Sequence, residues 1–255
     1  MDVLRKELNQ IYASQCLGDE MLDGTAVENC KVIVESVTKV SNACAVITDA
    51  AHDYCYLFLG DLAGLLGLDE ASYREFDSSD EDVIYNRMHP EDLVEKRMLE
   101  YEFFKFVDGL SAADKVRYKA TCRIRIKNHA GDYIVLDNST QIIKPSPAGK
   151  IWLILCCYDL SPEQSLLTGI EPRIKNNYTG EIIPLSFSDR KKHILTQREK
   201  EILMLIKEGK LSKEIADRLG ISVHTVNRHR QNILEKLSVG NSMEAVMAAA
   251  SMGLL

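Results

Sequence analysis

Residues 212–237 read SKEIADRLGISVHTVNRHRQNILEKL and contain two helical periods separated by a tight turn. Ser212 is expected to cap the first helix and Gly220 to end it. Ser222 then caps a second helix that is predicted to run to about Leu237. Two helices joined by a short glycine-containing turn form a helix-turn-helix, whose second helix lies in the major groove of DNA.

The spacing of apolar residues along the second helix distinguishes a buried face from an exposed one. At about 100° per residue, Val226, Ile233 and Leu237 point to the same side, which we assign to the core. Amide side chains can bind adenine in a bidentate manner and guanidinium groups can bind guanine, so a face rich in both suits base reading. An ordinary surface helix could carry the same residue types. The face opposite the core holds His224, Asn227, Arg228, Gln231 and Glu235.

Further helices are predicted on both sides of this stretch. Thr196 and Glu199 form a capping-box pattern, and Gly209 marks the end of the helix that follows. A last helix is predicted over residues 243–252. The sequence therefore predicts an all-α domain of four helices over residues 194–255.

The motifs of this region resemble those of the LuxR-type (GerE-like) DNA-binding domain. In that family the side chains after the Thr-Val pair read bases, which implies Asn227, Arg228 and Gln231 here. The residues that carry the resemblance are Leu195-Thr-x-Arg198-Glu, Gly209, Lys213-Glu-Ile-Ala216, Leu219-Gly-Ile-Ser222, Thr225-Val-x-x-His229, Lys236-Leu237 and Glu244-Ala-Val. The residues expected at the DNA backbone are Lys213, Thr225, Arg230 and Lys236.

The resemblance also implies a dimer contact through the last helix. The residues concerned are Val246, Ala249 and Ala250, although small side chains equally suit packing within one chain. His229 matches the histidine of the family and is interpreted as seating the second helix on its neighbours.

The preceding part of the chain predicts an α+β domain. Apolar residues occupy every even position from Val116 to Ile126, which is typical of a strand with one face in the core and one in water. His89-Pro90 opens a long helix, with proline at its first position. The order of elements predicts a five-stranded antiparallel sheet with helices on one face. The predicted strands are residues 43–48, 54–59, 116–127, 133–144 and 151–158.

Three short motifs make residues 41–161 similar to a PAS domain, a fold of sensor modules. They are His89-Pro-Glu-Asp92 at the start of the long helix, Ala130-Gly-Asp132 in the hairpin turn and Asp159-Leu-Ser161 at the end. Residues 1–40 carry two amphipathic helices that pack either on the sheet of the same chain or on a second subunit. Residues 162–193 show no sustained period and are assigned to a linker.

The charge of the chain is divided unevenly between its two parts. The 255 residues have a formal net charge of −7. From Arg190 onward there are 12 Lys and Arg against 7 Asp and Glu, a net charge of +5, while the first 189 residues hold 19 and 31, a net charge of −12. An acidic module joined to a basic one is consistent with a DNA partner for the C-terminal part.

Several classes of protein are excluded by composition. No apolar run approaches the roughly 20 residues that span a bilayer, and the N-terminus does not read as a secretory signal, so we expect a cytoplasmic protein without membrane contact. The seven cysteines include no C-x-x-C pair, so no metal site is predicted and the thiols are interpreted as small buried hydrophobes. The sequence contains no phosphate-binding glycine loop, so it gives no indication of an enzyme that uses one.

These observations favour a homodimeric, DNA-binding transcriptional regulator whose PAS-like domain senses a signal or mediates dimerisation. One alternative is a sigma-like factor that acts through RNA polymerase. Another is a haem sensor that uses His52 or His89. DNA binding requires no cofactor, and a small-molecule ligand of the PAS-like domain is left open. The residues specify neither the signal nor the operator, nor whether the chain activates or represses.

Overall fold

The computed structural model describes residues 3–68, 75–78, 81–165, 167, 169–187, 191, 193–237 and 239–255. Within these ranges one antiparallel sheet contains eight strands in the order β3-β2-β1-β6-β5-β4-β7-β8. The strands are β1 (Cys44–Asp49), β2 (Tyr54–Leu59), β3 (Glu75–Phe76), β4 (Tyr118–Lys127), β5 (Tyr133–Pro145), β6 (Ile151–Leu160), β7 (Arg173–Asn176) and β8 (Ile182–Pro184).

Ten α-helices are described in the same ranges. Six of them accompany the sheet, namely α1 (Val3–Ser14), α2 (Gly24–Ser41), α3 (Leu62–Leu66), α4 (Asp82–Tyr85), α5 (Pro90–Asp108) and α6 (Ala112–Lys115). Four form the C-terminal part, namely α7 (Gln197–Lys207), α8 (Ser212–Leu219), α9 (Val223–Leu237) and α10 (Ser242–Ser251). None of the described helices has the length and apolarity to span a bilayer.

The prediction of a five-stranded sheet is wrong, because β3, β7 and β8 join the five predicted strands. These additional strands have two to four residues, too few for an alternation to be recognised in the sequence. The last two lie within residues 162–193, the predicted linker, and form a hairpin that pairs with β4. Residues 173–176 and 182–184 of the predicted linker are therefore strands of the sheet.

The prediction that helices cover one face of the sheet is also wrong. Helix α5 packs against β4 and α1 packs against α5, whereas α2 packs against β1 and β2. Val27 and Val34 of α2 share an apolar cluster with Ala45, Ile47 and Trp152, which point to the face away from α5. Strand β1 is buried at every residue, and such a strand shows no alternation from which the two faces can be told apart.

Helix α5 lies at the centre of the molecule. Most of its apolar side chains are buried, and Phe103 and Phe104 are fully buried in a cluster that extends into the C-terminal helices. The helix contacts α1, β4, α9 and α10. We call the placement of α9 and α10 against α1, α4 and α5 the docked arrangement.

A buried polar cluster lies between α5 and the sheet. The Lys96 ammonium is fully buried and donates hydrogen bonds to Glu100 Oε1 at 2.6 Å and to Thr140 Oγ1 at 3.0 Å. The Tyr85 hydroxyl donates to Glu100 at 2.8 Å. Burial raises the pKa of the nearby Glu81 to about 7, while the positive charge of Lys96 opposes that shift. Lys96 thus supplies a positive charge next to carboxylates that are buried.

Candidate nucleic-acid interface

The caps of the C-terminal helices follow the predicted pattern with one exception. The Thr196 hydroxyl accepts from the Glu199 amide, and the Glu199 carboxylate accepts from the Thr196 amide at 2.8 Å, which forms the capping box. Ser222 Oγ accepts from the Thr225 amide at 3.0 Å at the start of α9. Ser212, however, is the first residue of α8 rather than its cap, because Glu214 accepts from the Leu211 amide at 2.8 Å.

The turn between α8 and α9 needs a residue that tolerates positive φ. Gly220 has φ 64° in the left-handed region, and its amide donates back to the Ala216 carbonyl. Arg198 of α7 donates to the Leu219 carbonyl at 3.0 Å, so α7 holds the turn from the other side. The helix-turn-helix is therefore fixed both by its own backbone and by the first helix of the domain.

Helix α9 has the predicted inward face. Val226, Ile233 and Leu237 are buried. Asn227 and Arg228 are exposed on the opposite side, free of the helical core. Gln231 is exposed as well, and its amide donates to Glu235 at 3.3 Å. The three predicted base-reading residues thus share one surface, and their role in reading bases stays a prediction.

The four residues expected at the DNA backbone are held differently from one another. Lys213 is exposed at the start of α8. The Thr225 hydroxyl lies 2.8 Å from Ser222 Oγ. The Arg230 guanidinium donates to Ser212 Oγ at 3.2 Å and to Ser242 Oγ at 2.9 Å, which ties the start of α8 to the start of α10. A phosphate contact by Arg230 would have to compete with these bonds.

Lys236 pairs with a buried carboxylate rather than pointing freely into solvent. Its ammonium lies 2.7 Å from Glu199 Oε2, and the Glu199 side chain is almost completely buried. Burial alone would raise the pKa of Glu199, but hydrogen bonds from Lys236 and from the Thr196 amide outweigh that effect and lower it. This pair joins the first helix of the domain to the end of α9.

The residues predicted for a dimer contact are divided between the core and the surface. Val246 and Ala249 are buried within the chain, where α10 packs against α7 and α9, while Ala250 is exposed. The exposed side of α10 also carries Met243 and Met247. His229 is half-buried, and its role in seating α9 stays a prediction.

The far half of α9 faces the N-terminal part of the chain. A cavity of about 440 Å³ separates Gln231 and Glu235 from residues of α1, α4 and α5, among them Arg5, Asp82 and Arg97. Gln231 therefore lies beside the sheet domain in the docked arrangement. Nothing in the sequence of α9 indicated this neighbourhood, because it depends on where α5 places the two parts.

The structure brings together one set of metal-ligand side chains among the described residues. Atoms of His89, Glu91 and Asp92 lie within 4.8 Å of one another. Arg125 already binds both carboxylates, with Glu91 at 3.1 Å and Asp92 at closer range. A guanidinium in that position neutralises the cluster and repels a cation.

Neither histidine of the haem alternative faces a cavity under the sheet. His52 is bonded to Asp49 at 2.8 Å, and the His89 ring packs on Tyr133. The cavity beneath the sheet, which Tyr12 and Cys156 help to line, has a volume of about 20 Å³. That space suits about one water molecule, whereas small-molecule sites enclose roughly 300–1,000 Å³.

Sequence comparison agrees with this geometry. The family model described as "Bacterial regulatory proteins, luxR family" matches residues 193–249. The C-terminal part is a LuxR-family helix-turn-helix domain. The match covers the four helices of the LuxR-family domain up to residue 249 and none of the sheet.

Two curated proteins are similar to the LuxR-family domain. The response regulatory protein YgeK of Escherichia coli is 51% identical over 59 residues, 23% of this chain and 40% of that protein. The transcriptional activator AnoR of Acinetobacter nosocomialis is 48% identical over 61 residues, 24% of this chain and 26% of that protein. The chain spans less than half the length of either relative. Both relatives have names of regulatory proteins, and AnoR is a transcriptional activator.

Several solved structures align with most of the chain, and one of them serves as the example. The Vibrio cholera VqmA-Ligand-DNA complex covers 88% of this chain and 89% of that one at 18% identity, with a TM-score of 0.30. At this TM-score the alignment carries no argument about the fold or the function of the sheet domain.

The Glu199 and Lys236 pair predicts a pH dependence of stability. Because the folded-state pKa of Glu199 is lowered, its contribution is fully present above the unfolded value of about 4.3 and is lost as the pH falls through the folded value. We expect Glu199→Gln to lower the free energy of unfolding by about 1–3 kcal/mol at pH 7. The deficit relative to wild type should shrink below pH 4, as measured by urea unfolding followed by circular dichroism.

Glu201 provides the control for this experiment. It lies on the same helix, is half-buried with 41% of its side chain exposed, and pairs with Arg198 at 2.8 Å. Glu201→Gln should change the stability by about 1 kcal/mol or less. A deficit for Glu199→Gln that stays constant between pH 7 and pH 3 would contradict the ionic origin of the effect.

Proposed function

We propose that the chain is a sequence-specific DNA-binding regulator of transcription that reads the major groove with α9. The observation that carries this proposal is the exposed surface of Asn227, Arg228 and Gln231 on the second helix of a LuxR-family helix-turn-helix. The +5 charge of the chain from Arg190 onward supports it, since cationic surfaces attract the phosphate backbone. Residues Lys213, Thr225, Arg230 and Lys236 remain the proposed backbone contacts.

The sheet domain is proposed to sense a signal or to mediate dimerisation. We divide the chain into N-terminal helices (1–40), a PAS-like domain (41–161), a connecting segment (162–193) and the LuxR-family domain (194–255). The contacts of α5 with α9 and α10 support a sensing role, because they give the sheet domain a physical connection to the DNA-reading helix. No feature of the described residues favours the sigma-like alternative or a contact with RNA polymerase.

The proposed DNA contact can be tested through its salt dependence. The full chain should enrich a common motif from a pool of random duplexes, and its affinity for that motif should fall with increasing salt. Lys213→Ala should weaken binding to selected and unselected duplexes alike and reduce the slope of log affinity against log salt by about one unit. Failure of the wild-type chain to enrich any motif would refute the proposed function.

A second copy of this chain is proposed to bind on α2. Helix α2 buries Val27 and Val34 on the sheet, but its outer side carries an apolar valine stripe whose residues are between 57% and 86% exposed. The valine stripe consists of Val32, Ile33, Val37 and Val40. Contiguous apolar surface of this kind marks an interaction site.

Charge complementarity favours an antiparallel pairing of two α2 helices. Glu28 and Lys39 lie near opposite ends of α2, and at about 100° per residue both fall on the same side of the valine stripe. An antiparallel partner brings its Lys39 opposite Glu28, whereas a parallel partner places the opposite flank of its α2 beside these two residues, so that this charge pair does not form. Glu28 and Lys39 each form an ion pair within the helix, at 3.1 Å with Lys31 and at 3.0 Å with Glu35. These exposed pairs are weak and can be shared with a partner.

This pairing predicts how variants of α2 affect the oligomeric state. Val37→Glu should place a charge in the interface and raise the dimer dissociation constant about tenfold or more, as measured by analytical ultracentrifugation. Val116→Glu, at an exposed valine away from α2, should leave the dimer dissociation constant unchanged. Glu28→Lys should weaken the dimer, and addition of Lys39→Glu should restore it. A dimer insensitive to Val37→Glu would place the interface elsewhere.

A further inference from the structure

A cleft of about 630 Å³ lies between the sheet domain and the LuxR-family domain. The corner between α4 and α5 and the hairpin of β4 and β5 form one wall, and the turn before α10 and α10 itself form the other. We call this space the interdomain cleft. Its volume falls in the range of roughly 300–1,000 Å³ that small-molecule sites occupy, unlike the cavity of about 20 Å³ beneath the sheet.

The two walls of the interdomain cleft supply mainly apolar surface. Met88 and Leu93 come from the sheet domain, and Val239, Met247 and Ala248 come from the LuxR-family domain. Met247 is 67% exposed although it lies on a helix whose other apolar residues are mostly buried. A methionine that lines a cleft in this way can adapt its shape to an aliphatic ligand.

The sheet-domain wall adds two cations that have no carboxylate partner among the described residues. The Arg87 guanidinium donates to the Gly67 carbonyl at 3.3 Å, and the Lys127 ammonium lies 5.5 Å from the centre of the Tyr133 ring. Neither side chain forms an ion pair within the described ranges, whereas Arg125 and Lys96 are both paired. Cations that a fold leaves without a counter-charge at the edge of an apolar cleft suit an anionic group.

The remaining titratable side chains of the lining do not cancel these charges. Burial and the neighbouring Arg125 lower the pKa of His89, which keeps its imidazole neutral at pH 7. Glu244 lies on the opposite wall and accepts a hydrogen bond from the Gly240 amide at 2.8 Å at the start of α10. With Arg87 and Lys127 on one wall and Glu244 on the other, the lining has a net positive charge.

We propose that the interdomain cleft binds a small amphipathic carboxylate and thereby serves as the signal site of the regulator, a role that rests on the proposed function. The carboxylate group pairs with Arg87 and Lys127, and the aliphatic chain lies against Met88, Leu93 and Met247. Such a ligand contacts both walls, so it favours the docked arrangement over any arrangement that separates them.

Binding in the cleft is coupled to DNA binding through α9. In the docked arrangement Gln231 lines the adjacent cavity beside Arg5 and Asn86 of the sheet domain. A DNA duplex that contacts Gln231 competes for this space. The ligand therefore lowers the affinity for DNA, and DNA lowers the affinity for the ligand by the same factor.

Sodium decanoate is the probe for this proposal, and isothermal titration calorimetry on the full chain is the measurement. We expect a dissociation constant between about 10 µM and 1 mM for decanoate and at least about tenfold weaker binding of 1-decanol, which lacks the negative charge. The double variant Arg87→Gln and Lys127→Gln should bind decanoate about tenfold more weakly or worse. It should keep the DNA affinity of the wild type when decanoate is absent.

A matched pair of methionines tests the position of the ligand. Met247→Trp fills the cleft and should abolish decanoate binding, whereas Met243→Trp should leave it unchanged. The two methionines are exposed to 67% and 68% on the same helix, but only Met247 is among the residues that line the cleft. Equal effects of the two substitutions would overturn the assignment of the cleft.

The outcomes separate this proposal from the proposed function. Absence of heat at about millimolar decanoate, or equal binding of decanoate and decanol, overturns the cleft site even if the chain binds its duplex. A chain that binds no DNA but binds decanoate with the expected response to Met247→Trp refutes the regulator and retains the site. A lower DNA affinity in the presence of decanoate, lost in Met247→Trp, supports the coupling.

Discussion

Replacing Asn227 and Arg228 together by alanine is expected to abolish the sequence preference of the chain while leaving its non-specific DNA affinity nearly intact. Both side chains are exposed on α9, opposite the buried Val226 and Ile233, so their removal leaves the core of the LuxR-family domain unchanged. Each bidentate contact with a base discriminates by about 1–3 kcal/mol, and the loss of both should reduce the ratio of specific to non-specific affinity by about 30-fold or more.

The measurement compares the affinity for a selected duplex with that for a scrambled duplex at one fixed salt concentration. Lys207→Ala, which removes an exposed positive charge from α7, is the control and should leave the ratio unchanged. Lys213→Ala should weaken both affinities by similar factors. If the double alanine variant gives the same footprint on the selected site as the wild type, α9 does not read bases.

Replacing Lys96 by alanine should lower the free energy of unfolding by about 3–5 kcal/mol, a large fraction of the stability of a domain. The substitution removes the cation that Glu100 meets at 2.6 Å and leaves that carboxylate buried without a counter-charge. It also removes the charge that opposes the raised pKa of Glu81. Both carboxylates would have to take up protons in the folded state, so the deficit should be larger at pH 8 than at pH 5.

A double-mutant cycle separates the ionic contribution from the packing of the side chain. Lys96→Met combined with Glu100→Gln removes both charges at similar volume and should recover part of the stability that Lys96→Met alone loses. Lys105→Ala is the control on the same helix, because Lys105 is exposed. Urea unfolding of the full chain, followed by the fluorescence of Trp152 in the sheet, provides the measurement. Equal losses for Lys96→Ala and Lys105→Ala would contradict a stabilising role of the buried pair.

Local patterns predicted the elements that contain enough residues to show a period. The caps at Thr196 and Ser222, the end at Gly220 and the inward face of α9 are all confirmed. These features depend on hydrogen bonds within one turn of helix or on a repeat of 3.6 residues. Both involve residues that are close together in the sequence.

Other elements were not predicted from the sequence, because their stability comes from partners that are distant along the chain. Strands β7 and β8 are short and exist as an edge hairpin of the sheet because β4 offers hydrogen bonds to the first of them. The amphipathic pattern of α2 indicated a buried side but not the face of the sheet that covers it. Ser212 was expected to serve its own helix, yet its hydroxyl accepts from Arg230, which lies 18 residues later in the chain.

The sequence by itself determined a four-helix LuxR-family domain, an α+β domain before it and the surface of α9 that carries Asn227, Arg228 and Gln231. Tertiary structure alone decided that Lys236 pairs with Glu199, that α5 brings the sheet domain against α9, and that a cleft lined by Arg87 and Lys127 opens between them. The physical reason is the separation along the chain between the residues that interact. Periodicity and capping report interactions among neighbours along the chain, whereas a cleft or an ion pair between elements depends on how whole faces of helices and sheets pack together.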